Sequence, residues 1–116
     1  MNRTWAMIIA GLTTLAIIAV VVIMLALPDA QTVTFEIPGG TAERIRNGED
    51  IRILPPTVEM KVGDKLILIN DDVELHMVGP YSVRPGERFE VQFTKAGKYP
   101  GTCTVNKSGQ SEIVVT

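Results

Sequence analysis

The chain has 116 residues, 11 Lys and Arg against 13 Asp and Glu, and a net charge of −2, which suits one small domain with an appendage and excludes a multidomain enzyme. Its single Cys excludes an intrachain disulfide, and its single His excludes any zinc site that needs two imidazoles from this chain. With no basic surplus and only 5% aromatic residues, nucleic acid is not an expected partner.

The first element in chain order is an uncharged run of 23 residues from Trp5 to Leu27. As a helix it would be about 34 Å long, enough for a hydrocarbon core of about 30 Å. The competing reading is a cleaved signal peptide, whose apolar core usually runs about 7–15 residues and ends at a small-x-small site. The nearby candidates put Pro28 or Met24 at the minus-three position before Ala30 or Ala26, neither of which is small, so the sequence favours an uncleaved anchor over residues 1–28. Arg3 is the only charged side chain ahead of the span and Arg44 is the next cation after it. The positive-inside bias then puts the amino end in the cytoplasm and residues 29–116 on the outer face, periplasmic or extracellular. The lipid bilayer is the expected partner of residues 5–27. Gly11 and Thr13-Thr14 are weak signals for helix packing.

Residues 29–116 carry 10 Lys and Arg and 13 Asp and Glu. Apolar residues alternate at Val33/Phe35/Ile37, Val58/Met60/Val62, Leu66/Leu68, Phe89/Val91/Phe93 and Ile113/Val115, which is strand periodicity. Turn signals stand between them at Pro38-Gly39-Gly40, Asn47-Gly48, Pro55-Pro56, Gly63-Asp64, Gly79-Pro80, Pro85-Gly86, Ala96-Gly97 and Ser108-Gly109. The pattern predicts an antiparallel β-sandwich with strands near 31–37, 51–54, 57–62, 65–70, 75–78, 87–93, 98–103 and 111–116, and a helical turn over Thr41–Asn47. Pro28-Asp29-Ala30 ends the helix a few residues before the first strand. So short a tether favours a resident subunit over a shuttling carrier.

Two stretches hold what reactive chemistry the chain has: Asn70-Asp71-Asp72-Val73-Glu74-Leu75-His76, and Gly97-Lys98-Tyr99-Pro100-Gly101-Thr102-Cys103. With Val62-Gly63-Asp64 before the first and Arg84-Pro85-Gly86-Glu87 between the two, this order resembles the cupredoxin family over roughly residues 31–116. The resemblance implies an all-β Greek-key sandwich of cupredoxin type behind one N-terminal transmembrane helix. It also implies that His76 and Cys103 stand at two copper-ligand positions. Thiolate and imidazole together suit copper, and Gln110 falls where an axial oxygen donor would be sought. The chain departs from the family pattern in lacking a second His and a Met after Cys103; Asn106 stands where short-loop relatives carry that histidine. The metal set His76, Cys103 and Gln110 is therefore incomplete, and the cofactor is either none or copper.

Three readings stay open. His76 and Cys103 are buried structural residues of a metal-free sandwich; or they hold copper with Gln110 and a ligand from water, a backbone oxygen or a partner; or they bind Cu(I) transiently, with Met77 opposed because it would point to the other face of a strand. Asp71, Asp72 and Glu74 form an acidic cluster that would bind a cation, steer a basic partner or be solvated. No third group orients Cys103 and His76 for thiol catalysis, so no enzyme activity is expected. Lys95, Lys98 and Lys107, around the Cys in sequence, read as surface solvation. The functional expectation is an accessory or interaction subunit of a membrane complex, of respiratory or photosynthetic electron-transport type. The alternatives are copper-dependent electron transfer on the outer face and copper handling.

Overall fold

The computed structural model describes residues 2–26 and 29–116. Helix α1 spans Arg3–Ala26, 24 residues with none buried, and is long and apolar enough to cross a membrane. Its apolar side chains point outward all around the axis, from Trp5 to Leu25, as lipid or a surrounding protein would require. The hydroxyls of Thr13 and Thr14 donate to the carbonyls of Ile9 and Ala10 within the same helix, which satisfies them without a partner chain. The expected end at Leu27 and the stop at Pro28 lie outside the described residues.

Two sheets follow. Strands β1 (Thr32–Ile37), β3 (Lys65–Asn70) and β6 (Arg88–Gln92) form one in the order β1-β3-β6, and β2 (Thr57–Met60), β4 (His76–Gly79), β5 (Tyr81–Val83), β7 (Gly97–Cys103) and β8 (Gln110–Val115) form the other in the order β2-β8-β7-β4-β5. After the β4–β5 hairpin the chain crosses to β6 and returns so that β7 lies beside β4, the Greek-key connection that the family resemblance implies. The sheets are mixed rather than antiparallel: β1 runs parallel to β3 from Thr32↔Lys65 to Ile37↔Asn70, and β2 runs parallel to β8. The chain visits the other sheet between β1 and β3, so they are joined by a crossover and not by a hairpin.

The core is built from the alternating residues. Ile37, Leu66 and Leu68 from one sheet meet Val58, Met60, Val78, Val83, Ile113 and Val115 from the other, with Cys103 and Val105 beside them. Tyr81, Phe89, Phe93 and Tyr99 form a tilted aromatic run with centroids 5.1 to 6.4 Å apart. Val62 is the exception among the predicted core positions: it lies beyond the end of β2 in the turn 61–64 and is 49% exposed.

Two other expectations change. Residues 51–54 form no strand, only a single bridge between Arg52 and Asn106, because Pro55 and Pro56 follow without N–H donors; Ile51 and Leu54 are buried even so. Strand β5 is additional. It is three residues long, too short to show alternation, and pairs with β4 through the loop Gly79-Pro80, where Gly79 takes the positive φ of 58° that a primed hairpin turn requires. The expected helical turn over Thr41–Asn47 is present as a short helix, α2 (Thr41–Arg46), capped at Asn47.

Candidate functional site

Strand direction sets where the motif residues gather. β1 leaves the tether at Thr32 and β3 runs parallel to it, so Asn70 and the loop 71–75 lie at the end of the sandwich remote from α1's connection. Asn70 holds that loop from within: its buried Nδ2 donates to the carbonyls of Glu74 (2.8 Å) and Val83 (3.0 Å), and its Oδ1 accepts the Asp72 N–H at 2.9 Å. All three amide contacts favour one loop conformation.

The loop turns Asp72 inward, where it is 3% exposed. One carboxylate oxygen accepts the N–H groups of Gly40 (3.0 Å) and Val73 (2.8 Å), the other those of Ala42 (2.9 Å) and His76 Nε2 (2.7 Å). Burial pushes the Asp72 carboxyl up, but the His76 hydrogen bond and those backbone N–H groups together outweigh it and hold the group down at about 2. The acidic cluster is thus split. Glu74 pairs with Arg46 on the surface, and Asp71, exposed, raises the neighbouring Glu36 carboxyl through a shared hydrogen bond and like charge.

His76 is 1% exposed, at the start of β4. With Asp72 ionised, Nε2 carries a proton and donates it. Nδ1 lies 3.0 Å from Thr104 Oγ1, and that same oxygen accepts the Met77 N–H at 2.8 Å. The Thr104 hydroxyl and Nδ1 form the second hydrogen bond of the ring. Both ring nitrogens are therefore engaged. Met77 turns to the opposite face of the strand from His76. Thr104 escaped the sequence reading; its only signal was its place beside Cys103 at the end of an alternating strand.

Cys103 is fully buried in the apolar core. Val78 is its partner across β4–β7, so His76 and Cys103 come from inward-facing positions of neighbouring strands. Burial pushes the thiol up, against partial relief from the backbone N–H groups of Val105 and Asn106. Gln110 does not join them. It pairs with Thr102 at the start of β8, and both are exposed, one step out of phase with inward Cys103 and Ser111. The axial position expected for Gln110 is not formed, because strand alternation sends its side chain to the outer face. Asn106 is likewise spent: its Oδ1 accepts the N–H groups of Ile53 (2.8 Å) and Leu54 (3.2 Å), and its Nδ2 donates to the Leu54 carbonyl at 2.8 Å.

No family model and no curated protein matches the chain. Among solved structures, it is similar to a purple cupredoxin from Nitrosopumilus maritimus, with 23% identity and a TM-score of 0.44 over 76% of this chain and 100% of that one. It is also similar to amicyanin from Paracoccus versutus, with 21% identity and a TM-score of 0.46 over 79% of this chain and 87% of that one. The likeness concerns the sandwich fold alone.

A trigonal copper centre needs a thiolate, two imidazoles with free lone pairs and a weak axial donor converging on one point. This chain brings together one imidazole whose nitrogens are both engaged and one thiol whose burial opposes ionisation. Among the described residues, no group of three or more His, Cys, Asp and Glu is arranged to hold a metal ion. The residues as arranged do not fit a blue-copper centre.

Proposed function

We propose that this chain is a non-catalytic, membrane-anchored interaction module: a cupredoxin-like sandwich held on the outer face by α1, serving as an accessory subunit of a membrane complex without a resident copper ion. The observation that carries the reading is the use of His76 and Asn106. The groups that would bind metal are instead tied to Asp72, Thr104 and the segment 51–54, so this end of the sandwich is organised for rigidity. The apolar length of α1 and the single Arg3 ahead of it support the anchor and its direction. The five residues between α1 and β1 support a resident role.

The second reading, copper-dependent electron transfer or copper handling, is favoured by one observation: His76 and Cys103 occupy inward positions of paired strands. Rotation of the Thr104 hydroxyl away from His76 would free Nδ1. A copper titration of the full chain in detergent separates the two, read by the thiolate-to-copper charge-transfer band and Cu(II) electron paramagnetic resonance. The interaction-module reading expects no retained copper and no band. One stoichiometric coloured site that disappears in Cys103→Ser would replace it with the second reading.

A further inference from the structure

We propose that the tether end of the sandwich is a foot that rests on anionic lipid headgroups, with Lys61, Lys65, Lys95 and Lys98 around the exposed Val62. The proposal rests on the reading of α1 as a retained membrane anchor.

Strand direction puts these residues at one end. Lys65 opens β3 opposite Thr32, the first residue of β1, and Gln92 closes β6 opposite Lys65. Lys61 follows the end of β2, Lys95 precedes β7, and Lys98 pairs with Val114 near the end of β8. Asp64 knots the end together: its buried carboxylate accepts the N–H groups of Gln31 and Lys61, both at 2.8 Å, which hold it below the usual carboxylate range. The Gln31 carbonyl also accepts the Lys65 N–H at 2.9 Å, and the Phe93 carbonyl that of Gly63 at 2.7 Å. The tether therefore enters the fold at the centre of the lysine group.

Most cations of the remote end are spent on carboxylates: Arg44, Arg46, Arg52 and Arg88 are each paired with one, and Arg84, at the same end, and Lys107 are in no ion pair among the described residues. No ion pair among the described residues engages any of the four lysines of the tether end, and the fifth lysine, Lys107, lies at the other end, where its N–H reaches the Ile51 carbonyl. The opposing groups at the foot are Asp29, Glu59 and Asp64, of which Asp64 is buried under its own hydrogen bonds. Residues 27–31 span at most about 18 Å when extended, so the foot is confined close to the bilayer surface. Lysines near an anionic surface each add attraction that salt screens, and an apolar residue among them, as Val62 is, suits the headgroup boundary.

The test uses the full chain in vesicles of phosphatidylcholine with or without phosphatidylglycerol. A nitroxide is placed at Val62→Cys, and in a separate protein at Val73→Cys in the remote loop; Cys103 stays unlabelled because it is buried. With phosphatidylglycerol, the label at 62 should be shielded from a water-soluble nickel relaxant and the label at 73 should not. High salt should abolish the shielding, and Lys→Gln changes at 61, 65, 95 and 98 should lower the docked-to-free ratio roughly fivefold per lysine. Equal exposure of both labels in a chain that resists carbonate extraction would overturn the foot alone. Release of the chain by carbonate would overturn the anchor and the foot with it.

Discussion

Thr104 Oγ1 stands between the only histidine and the backbone of the next residue, 3.0 Å from His76 Nδ1 and 2.8 Å from the Met77 nitrogen. One hydroxyl thus fixes both the ring and the strand that carries it. Together with Asp72 on the other ring nitrogen, it makes His76 a structural cross-link between α2, β4 and the end of β7.

Acid sensitivity follows from Asp72. Its carboxyl is held at about 2 against an ordinary value of 3.8, so the unfolded chain binds the proton more readily. The stabilisation is complete above about pH 4 and is lost as the pH falls toward 2; Asp64, also lowered, acts with the same sign. Asp72→Asn should lower stability at pH 7 and flatten the dependence over that window. Urea unfolding at pH 7, 4 and 2.5 reads both effects, and an unchanged acid slope would refute the assignment.

Asn106→Ala should cost about 2 kcal/mol or more, because the N–H groups of Ile53 and Leu54 and the Leu54 carbonyl lose their partner at a buried site. Lys107→Ala, at the exposed neighbouring position, should change stability by less than about 0.5 kcal/mol. Parallel denaturant titrations compare them; equal costs would mean that the amide does not organise the segment 51–54.

Cys103 should resist alkylation by iodoacetamide in the native chain and react once urea unfolds it, since the thiol is buried and its ionisation is opposed. Mass spectrometry after timed quenching gives the rate. Fast native labelling would contradict the closed end of the sandwich.

Gly101→Ala should destabilise by more than about 3 kcal/mol or prevent folding, because a Cβ there would overlap the Gly79 backbone. Gly48→Ala, which meets no neighbouring atom but sits at a φ of 86°, should cost only about 1 kcal/mol. Thermal melts of the two variants distinguish steric overlap from backbone preference.

Ser111 is buried with no hydrogen-bond partner for its hydroxyl. Ser111→Ala should therefore be neutral or stabilising by up to about 1 kcal/mol. A marked loss of stability would show that the hydroxyl has an important partner.

The sandwich was legible because two-residue alternation reports a face directly: Leu66/Leu68 and Ile113/Val115 are buried as their period requires. Val62 kept the period but not the strand, since the turn at Gly63-Asp64 begins before it. Parallel pairing of β1 with β3 left no local trace, because register across a crossover depends on residues some 30 positions apart. At the site, sequence order brought His76 and Cys103 to one end. It did not show that Asp72 and Thr104 engage the imidazole or that Asn106 faces the segment 51–54, because such contacts depend on loop conformation. Gln110 needed only its strand phase, one residue from Ser111, to be placed outside.

The parallel pairing of β1 and β3 has a mechanical side. β1 is the strand that follows α1, and it lies at an edge, matched to β3 at six successive positions. Tension entering at Thr32 runs lengthwise along that ladder, so its hydrogen bonds share the load instead of parting one after another. A sandwich pulled from the α1 side should yield in shear, at a higher force than one peeled from β5, and single-molecule pulling from the two attachment points would measure the difference.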